Sequence, residues 1–216
     1  MKISFPLLAV LSLAGVVNAN AAIITYEDRI ANNAVSNTDY QASWNAQTSA
    51  ISTRVLSDFN GAKLDSGLGN SYTPKQAGFS YLNVSFSVAT AGSNWAFQLA
   101  PDAGYGGSLY LDGKLLETKT YDLWWGGNWS STSQILSDSG LNLTAGNHTL
   151  TAYWAENCCN GAQGARFSSD GTSFQSLSVL NNPVATPLPT ALLFVAPALA
   201  GVFGFSRCKA ANGLQA

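Results

Sequence analysis

Two kinds of side chain in this sequence have chemistry to offer, and both fall in short loops. Asp102, Glu156, Asn157 and Asn160 supply planar carboxylates and amides, which can exchange hydrogen bonds with hydroxyl groups. Trp124, Trp125 and Trp129, within the run WWGGNW, supply broad apolar faces on which a ring can stack. Together these suit a polyhydroxylated ring with a wet edge and an apolar face. The same tryptophans could instead cap the edge of a core, and that reading stays open. Cys158 and Cys159 are adjacent. In an oxidising compartment they can close on each other in a strained ring or pair between molecules.

Catalytic chemistry finds less support. His148 is the one histidine, and no nucleophile elbow is present for it to serve. Phosphate-binding, dinucleotide-binding and HExxH patterns do not occur. Acidic residues sit mostly beside turn residues, where solvation is their ordinary role. The chain is therefore read as non-enzymatic. A zinc site would need more ligands than two cysteines and one histidine in a predicted turn, so no metal is assigned.

These loops need a scaffold. Only 10% of residues are charged while 11% are aromatic, a balance that argues against disorder. The stretch from Ala22 to Thr186 fits one domain. It contains all twelve acidic residues but only seven of the ten basic ones, leaving it five charges negative. With no basic patch, nucleic acid is excluded as a partner.

Alternation of apolar residues predicts strands over Phe79–Ala89, around Trp95–Leu99, at Leu109–Leu111 and over His148–Trp154, with a closing strand from Phe174 to Leu180. Asp112-Gly113 is a hairpin turn signal. The fold class expected is mainly β: an antiparallel sandwich or jelly roll spanning 79–180. Before it, in residues 22–78, Tyr40, Trp44, Ile51, Val55 and Phe59 recur at helical intervals. They predict one amphipathic helix over about 38–59, capped by Thr38 or Asp39.

The two ends read as export signals. Lys2, an apolar run from Phe5 to Val17 and small residues at Ala19 and Ala21 predict a signal peptide over 1–21, cleaved after Ala21 or, failing that, after Ala19. Residues 181–186 form a linker. Pro187-Leu188-Pro189 then precedes an uncharged run, 190–205, predicted as a transmembrane helix, and Arg207 and Lys209 follow on the cytoplasmic side.

This C-terminal pattern over 187–209 resembles a PEP-CTERM sorting signal, with Leu188 where the family carries Glu. The resemblance implies handling by an exosortase, a membrane-anchored stage at the inner membrane, and a final place at the cell surface or in the extracellular matrix with exopolysaccharide. Pro187, Pro189, Arg207 and Lys209 would be its sorting residues. Cys158-Cys159-Asn160-Gly161 is similar to a CC-x-G pattern in a subgroup of these proteins, which favours a vicinal disulfide.

Residues 79–168 resemble the sugar-binding module first seen in anthrax protective antigen, through PDAGYGGSLYLDGKLL at 101–116, LTAGNHTLTAYW at 143–154 and ENCCNGAQGARF at 156–167. That resemblance implies glycan binding through loops, with extracellular polysaccharide as partner. Calcium-dependent members use two consecutive aspartates, whereas Ala103 follows Asp102 here. No cofactor is therefore assigned, and calcium remains a lesser expectation. A structural matrix component, or a protein-adhesion module, is the alternative function.

Overall fold

The computed structural model describes residues 22–64, 77–157 and 159–181. The expected signal peptide, sorting signal, transmembrane run and most of the linker lie outside the described residues, as does Cys158. Among the described residues no helix is long and apolar enough to cross a membrane.

The fold is mainly antiparallel β, in two facing sheets. The larger has six strands: β1 (Ile23–Ile30), β2 (Ser52–Leu56), β4 (Gly78–Val88), β7 (Gly107–Leu111), β8 (Lys114–Lys119) and β11 (Gly146–Glu156). Their spatial order is β2-β1-β4-β11-β7-β8. The second sheet runs β10 (Leu136–Leu143), β5 (Gly92–Ala100), β12 (Gln163–Ser168) and β13 (Gln175–Ser176), with β3 (Asn60–Ala62) also pairing with β12. A two-stranded ribbon of β6 (Asp102–Ala103) and β9 (Leu123–Trp124) completes it.

Period-two alternation places the core between the sheets. Leu82, Val84, Phe86 and Val88 of β4 face Phe97 and Leu99 of β5, with Leu150, Ala152 and Trp154 of β11 beside them. The β7–β8 hairpin closes on Asp112 and Gly113, both at positive φ (52° and 76°), as a two-residue turn with matching twist requires.

Three expectations are corrected. The sandwich begins at Ile23, not at residue 79, because β1 lies between β2 and β4. The helix predicted over 38–59 is α1, Tyr40–Asn45 only. Asp39 caps it, accepting the Ala42 amide at 2.8 Å, and Tyr40 and Trp44 are buried as the pattern required. It stops because Gln47 is drawn elsewhere: its carbonyl accepts from Arg29 and its side chain accepts the amides of Asn32 and Asn33. Ile51 and Val55 are exposed, the latter on the outer face of edge strand β2, while Phe59 enters the core from the loop after it. The helical interval thus joined two unrelated elements. Finally, the closing strand predicted from Phe174 to Leu180 is a two-residue β13 followed by a 3₁₀ turn over Leu177–Asn181, which plugs Leu177 into the core.

His148 lies within β11 rather than in the turn before it, and is buried. Its Nδ1 is 2.8 Å from Asp112 Oδ2 and its Nε2 is 2.9 Å from the Thr144 carbonyl. Both partners are acceptors, so the ring is fully satisfied only when both nitrogens carry protons. Burial opposes that charge, but the bonds to Asp112 and Thr144 and the Asp112 charge outweigh it and raise the pKa. The resulting stability is complete below the ordinary imidazole value of 6.5 and is lost as pH rises through the higher folded value. The urea midpoint is expected to fall as pH rises above 6.5 in the parent, and to stay flat in His148→Gln.

Candidate functional site

Asp102 and Trp124 are opposed across the β6–β9 ribbon. Alternation then sends consecutive tryptophans to opposite sides. Trp124 is 69% exposed, whereas Trp125 is buried against Ala100 and Ile135 with Trp129 beside it, ring centroids 4.7 Å apart. Gly164 permits this packing, since a Cβ there would lie 3.3 Å from both indoles. Arg166 lies over Trp129 at 4.2 Å. Of the three, one indole is presented to solvent and two close the edge of the sandwich.

The polar candidates form clamps between loops. Asp102 Oδ2 accepts the Gly161 amide at 2.5 Å. Glu156 accepts the Gly104 amide at 2.9 Å and that of Asn157 at 2.7 Å. Asn160 binds both backbone groups of Leu64, at 2.9 and 3.2 Å. Asn157 is exposed and packs against Gly104, where an added Cβ would displace its side chain. The loops at 124–129 and 156–161 are therefore brought to the same end of the sandwich, with Asp102 joining them. Cys159 is exposed, in left-handed backbone at φ 66°.

Beside Trp124 lies an open cleft of about 510 Å³, lined also by Asp122, Trp125, Gly126, Asn128, Ser131 and Gln134. Gln134 holds the edge of the ribbon by accepting the Trp124 amide at 2.5 Å. Asp122, Ser131 and Gln134 were not legible as site residues. Gln134 reaches the cleft from a 3₁₀ turn over Thr132–Gln134, with Ser131 at its N-cap, that no periodicity announces, and Asp122 lies just before β9. Asn128 stood in plain view inside WWGGNW.

No family model matches the chain, and a search of curated proteins finds no match. Solved structures with a similar fold include the PA14 domain of the MpAFP antifreeze protein, at 14% identity over 83% of this chain and 94% of that one, with TM-score 0.49. The PA14 sugar-binding domain from an RTX adhesin is 9% identical over 73% of this chain and 95% of that one, TM-score 0.44. A GH31 α-xylosidase from Xanthomonas citri is 14% identical over 74% of this chain but only 16% of that one, TM-score 0.42. Function must be argued from the site itself.

A calcium site at these loops would draw on Asp102, Glu156 and Asn160. That ion takes six to eight oxygens. Asp102, Glu156 and Asn160 each commit oxygen to backbone amides, and among the described residues no three acidic, histidine or cysteine side chains are grouped to hold a metal.

Burial raises the pKa of Asp102; the Gly161 amide opposes the shift and the charge of Asp122 adds to it. A carboxyl whose folded pKa is raised binds its proton more tightly when folded. Stability therefore falls as pH climbs from the ordinary 3.8 through the raised value. Asp102→Asn keeps an acceptor for Gly161 without the charge. It is expected to melt at or above the parent temperature at pH 7, the gap closing below about pH 4.

Proposed function

We propose that this chain is a non-catalytic binding module of the cell surface or extracellular matrix, taking glycan at the loop end of its sandwich. One observation carries the reading: Trp124 stands 69% exposed at the mouth of a cleft whose other walls offer amide, hydroxyl and carboxylate groups. A sugar ring stacked on the indole would place its hydroxyls toward Asp122, Asn128, Ser131 and Gln134. In this reading Asp102, Glu156, Asn157 and Asn160 shape the loops, and binding needs no calcium. A vicinal disulfide between Cys158 and Cys159, formed on oxidation of the exposed free Cys159, would stiffen the same loop.

Export, exosortase sorting and exopolysaccharide association complete the proposal. They are supported by the sequence patterns at 1–21 and 187–209 alone.

A glycan array probed with the purified full chain tests it, with and without chelator and reductant. Trp124→Ala is expected to weaken retention by about tenfold or more while changing stability by less than about 0.5 kcal/mol. Absence of binding to every glycan would favour the alternative, a matrix or protein-adhesion role. Self-association lost in Trp124→Ala would identify the latter.

A further inference from the structure

The outer face of the six-stranded sheet is uncharged along its two central strands. β4 and β11 pair in unbroken register, setting Thr151 beside Asn83, Thr149 beside Ser85 and Asn147 beside Ser87. All six are partly or fully exposed, while the residues between them fill the core side. In a domain with twelve carboxylates, this is a continuous patch of hydroxyls and amides alone.

Sideways the face becomes partly apolar, with Ile23 of β1 exposed beside Ser85 and Val55 of β2 exposed beside Thr25. Thr25 of β1 lies beside Asn83, and Tyr110 of β7 lies beside Thr151. At one end Tyr81 stacks on Tyr153 at 4.8 Å. The ionisable groups nearby are few: Glu27 lies beside Tyr81, Asp112 accepts the Thr149 amide at 2.8 Å, and Arg29 is buried with its guanidinium 3.8 Å over the Trp44 ring. Several polar groups are already oriented. Ser87 donates to Asn147 Oδ1 at 2.6 Å, and Asn83 Nδ2 donates to the Tyr81 hydroxyl at 3.0 Å.

Charge decides what could lie here. An anionic polymer would find no accessible cation, and a cationic one would find only Glu27 and Asp112. A dry apolar partner would strand the hydroxyls and amides without hydrogen bonds, which is costly. A neutral polyhydroxylated chain matches the face in charge and can exchange hydrogen bonds at each rung, with rungs about 4.8 Å apart across the strands. Its apolar ring faces can rest on Tyr81 and Tyr110. We propose that this face is a second binding surface, for an uncharged polysaccharide laid across β1, β4, β11 and β7. It does not depend on the Trp124 cleft.

Affinity electrophoresis of the full chain tests this in gels containing hydroxyethylcellulose (neutral) or alginate (anionic), each referenced to a polymer-free gel. The parent is expected to be retarded by the neutral polymer only. Asn83→Lys with Thr151→Lys should reduce that retardation by about fivefold. Circular dichroism checks folding, and Ser85→Lys, at a fully exposed rung, is the second variant should the double one fail to fold. Four results would overturn the proposal: no retardation of the parent; full retardation of folded face variants; retardation lost only in Trp124→Ala; or a parent dimer that the face variants dissociate, which would make the surface a self-contact. The first leaves the cleft to be judged by its own array result.

Discussion

Gly106→Ala is expected to cost this domain a large share of its stability. Gly106 has φ +81°, its amide donates to Ala103 at 2.8 Å, and its carbonyl accepts from Ala155 at 3.2 Å. A Cβ there would lie 2.1 Å from the Lys119 carbonyl oxygen and 2.7 Å from the Tyr40 hydroxyl. Neither neighbour is free to retreat, because Lys119 ends β8 beside Gly107 and Tyr40 is held by the Tyr105 carbonyl at 2.5 Å. The left-handed conformation alone costs about 1 kcal/mol for alanine, and the backbone collision should bring the total to about 4 kcal/mol. Domains of this kind have only about 5–15 kcal/mol to lose. Gly113→Ala is the control: its φ is +76°, yet nothing lies within 4 Å of the added carbon. Urea unfolding of both variants separates collision from conformation. Equal losses would mean that the close approach at Gly106 is not what restricts this site.

Trp154→Ala should cost about 3–5 kcal/mol. The indole is 1% exposed, stacks on Tyr26 at 5.9 Å and meets Phe59 edge-on at 6.0 Å. These rings come from β11, β1 and the loop before β3, so the cavity would open where distant parts of the chain meet. Trp154→Phe should cost much less, about 1–2 kcal/mol. Its Nε1 is buried without a hydrogen-bond partner, so replacing it removes an unsatisfied donor along with some volume. A phenylalanine variant as unstable as the alanine one would mean that ring shape, rather than buried volume, dominates there.

The legible parts of the fold were those governed by local geometry. β4, β5 and β11 announce themselves because successive side chains must face opposite ways, and Asp112-Gly113 because a tight hairpin needs positive φ at both positions. The end of α1 was hidden, since it is set by Arg29, Asn32 and Asn33 reaching Gln47. At the candidate site the residue types were visible but their duties were not. Asp102, Glu156 and Asn160 hold the backbone amides of Gly161, Gly104 and Leu64, and such partners carry no side-chain signature. Trp124 ends β9 and Trp125 follows it, and their opposite exposures are set once β9 pairs with β6.

The position of β1 also sets a timetable. As the chain emerges from its amino end, Ile24 can find Leu56 early, but its other neighbour is Val84, and Val84 in turn waits for Leu150. The large sheet cannot be completed until nearly all of the domain has appeared. Such non-local pairing makes for slow acquisition of structure and a long interval with unpaired edges. A chain that stays unfolded through that interval remains threadable, which is the condition a polypeptide must meet to pass through a narrow translocation pore.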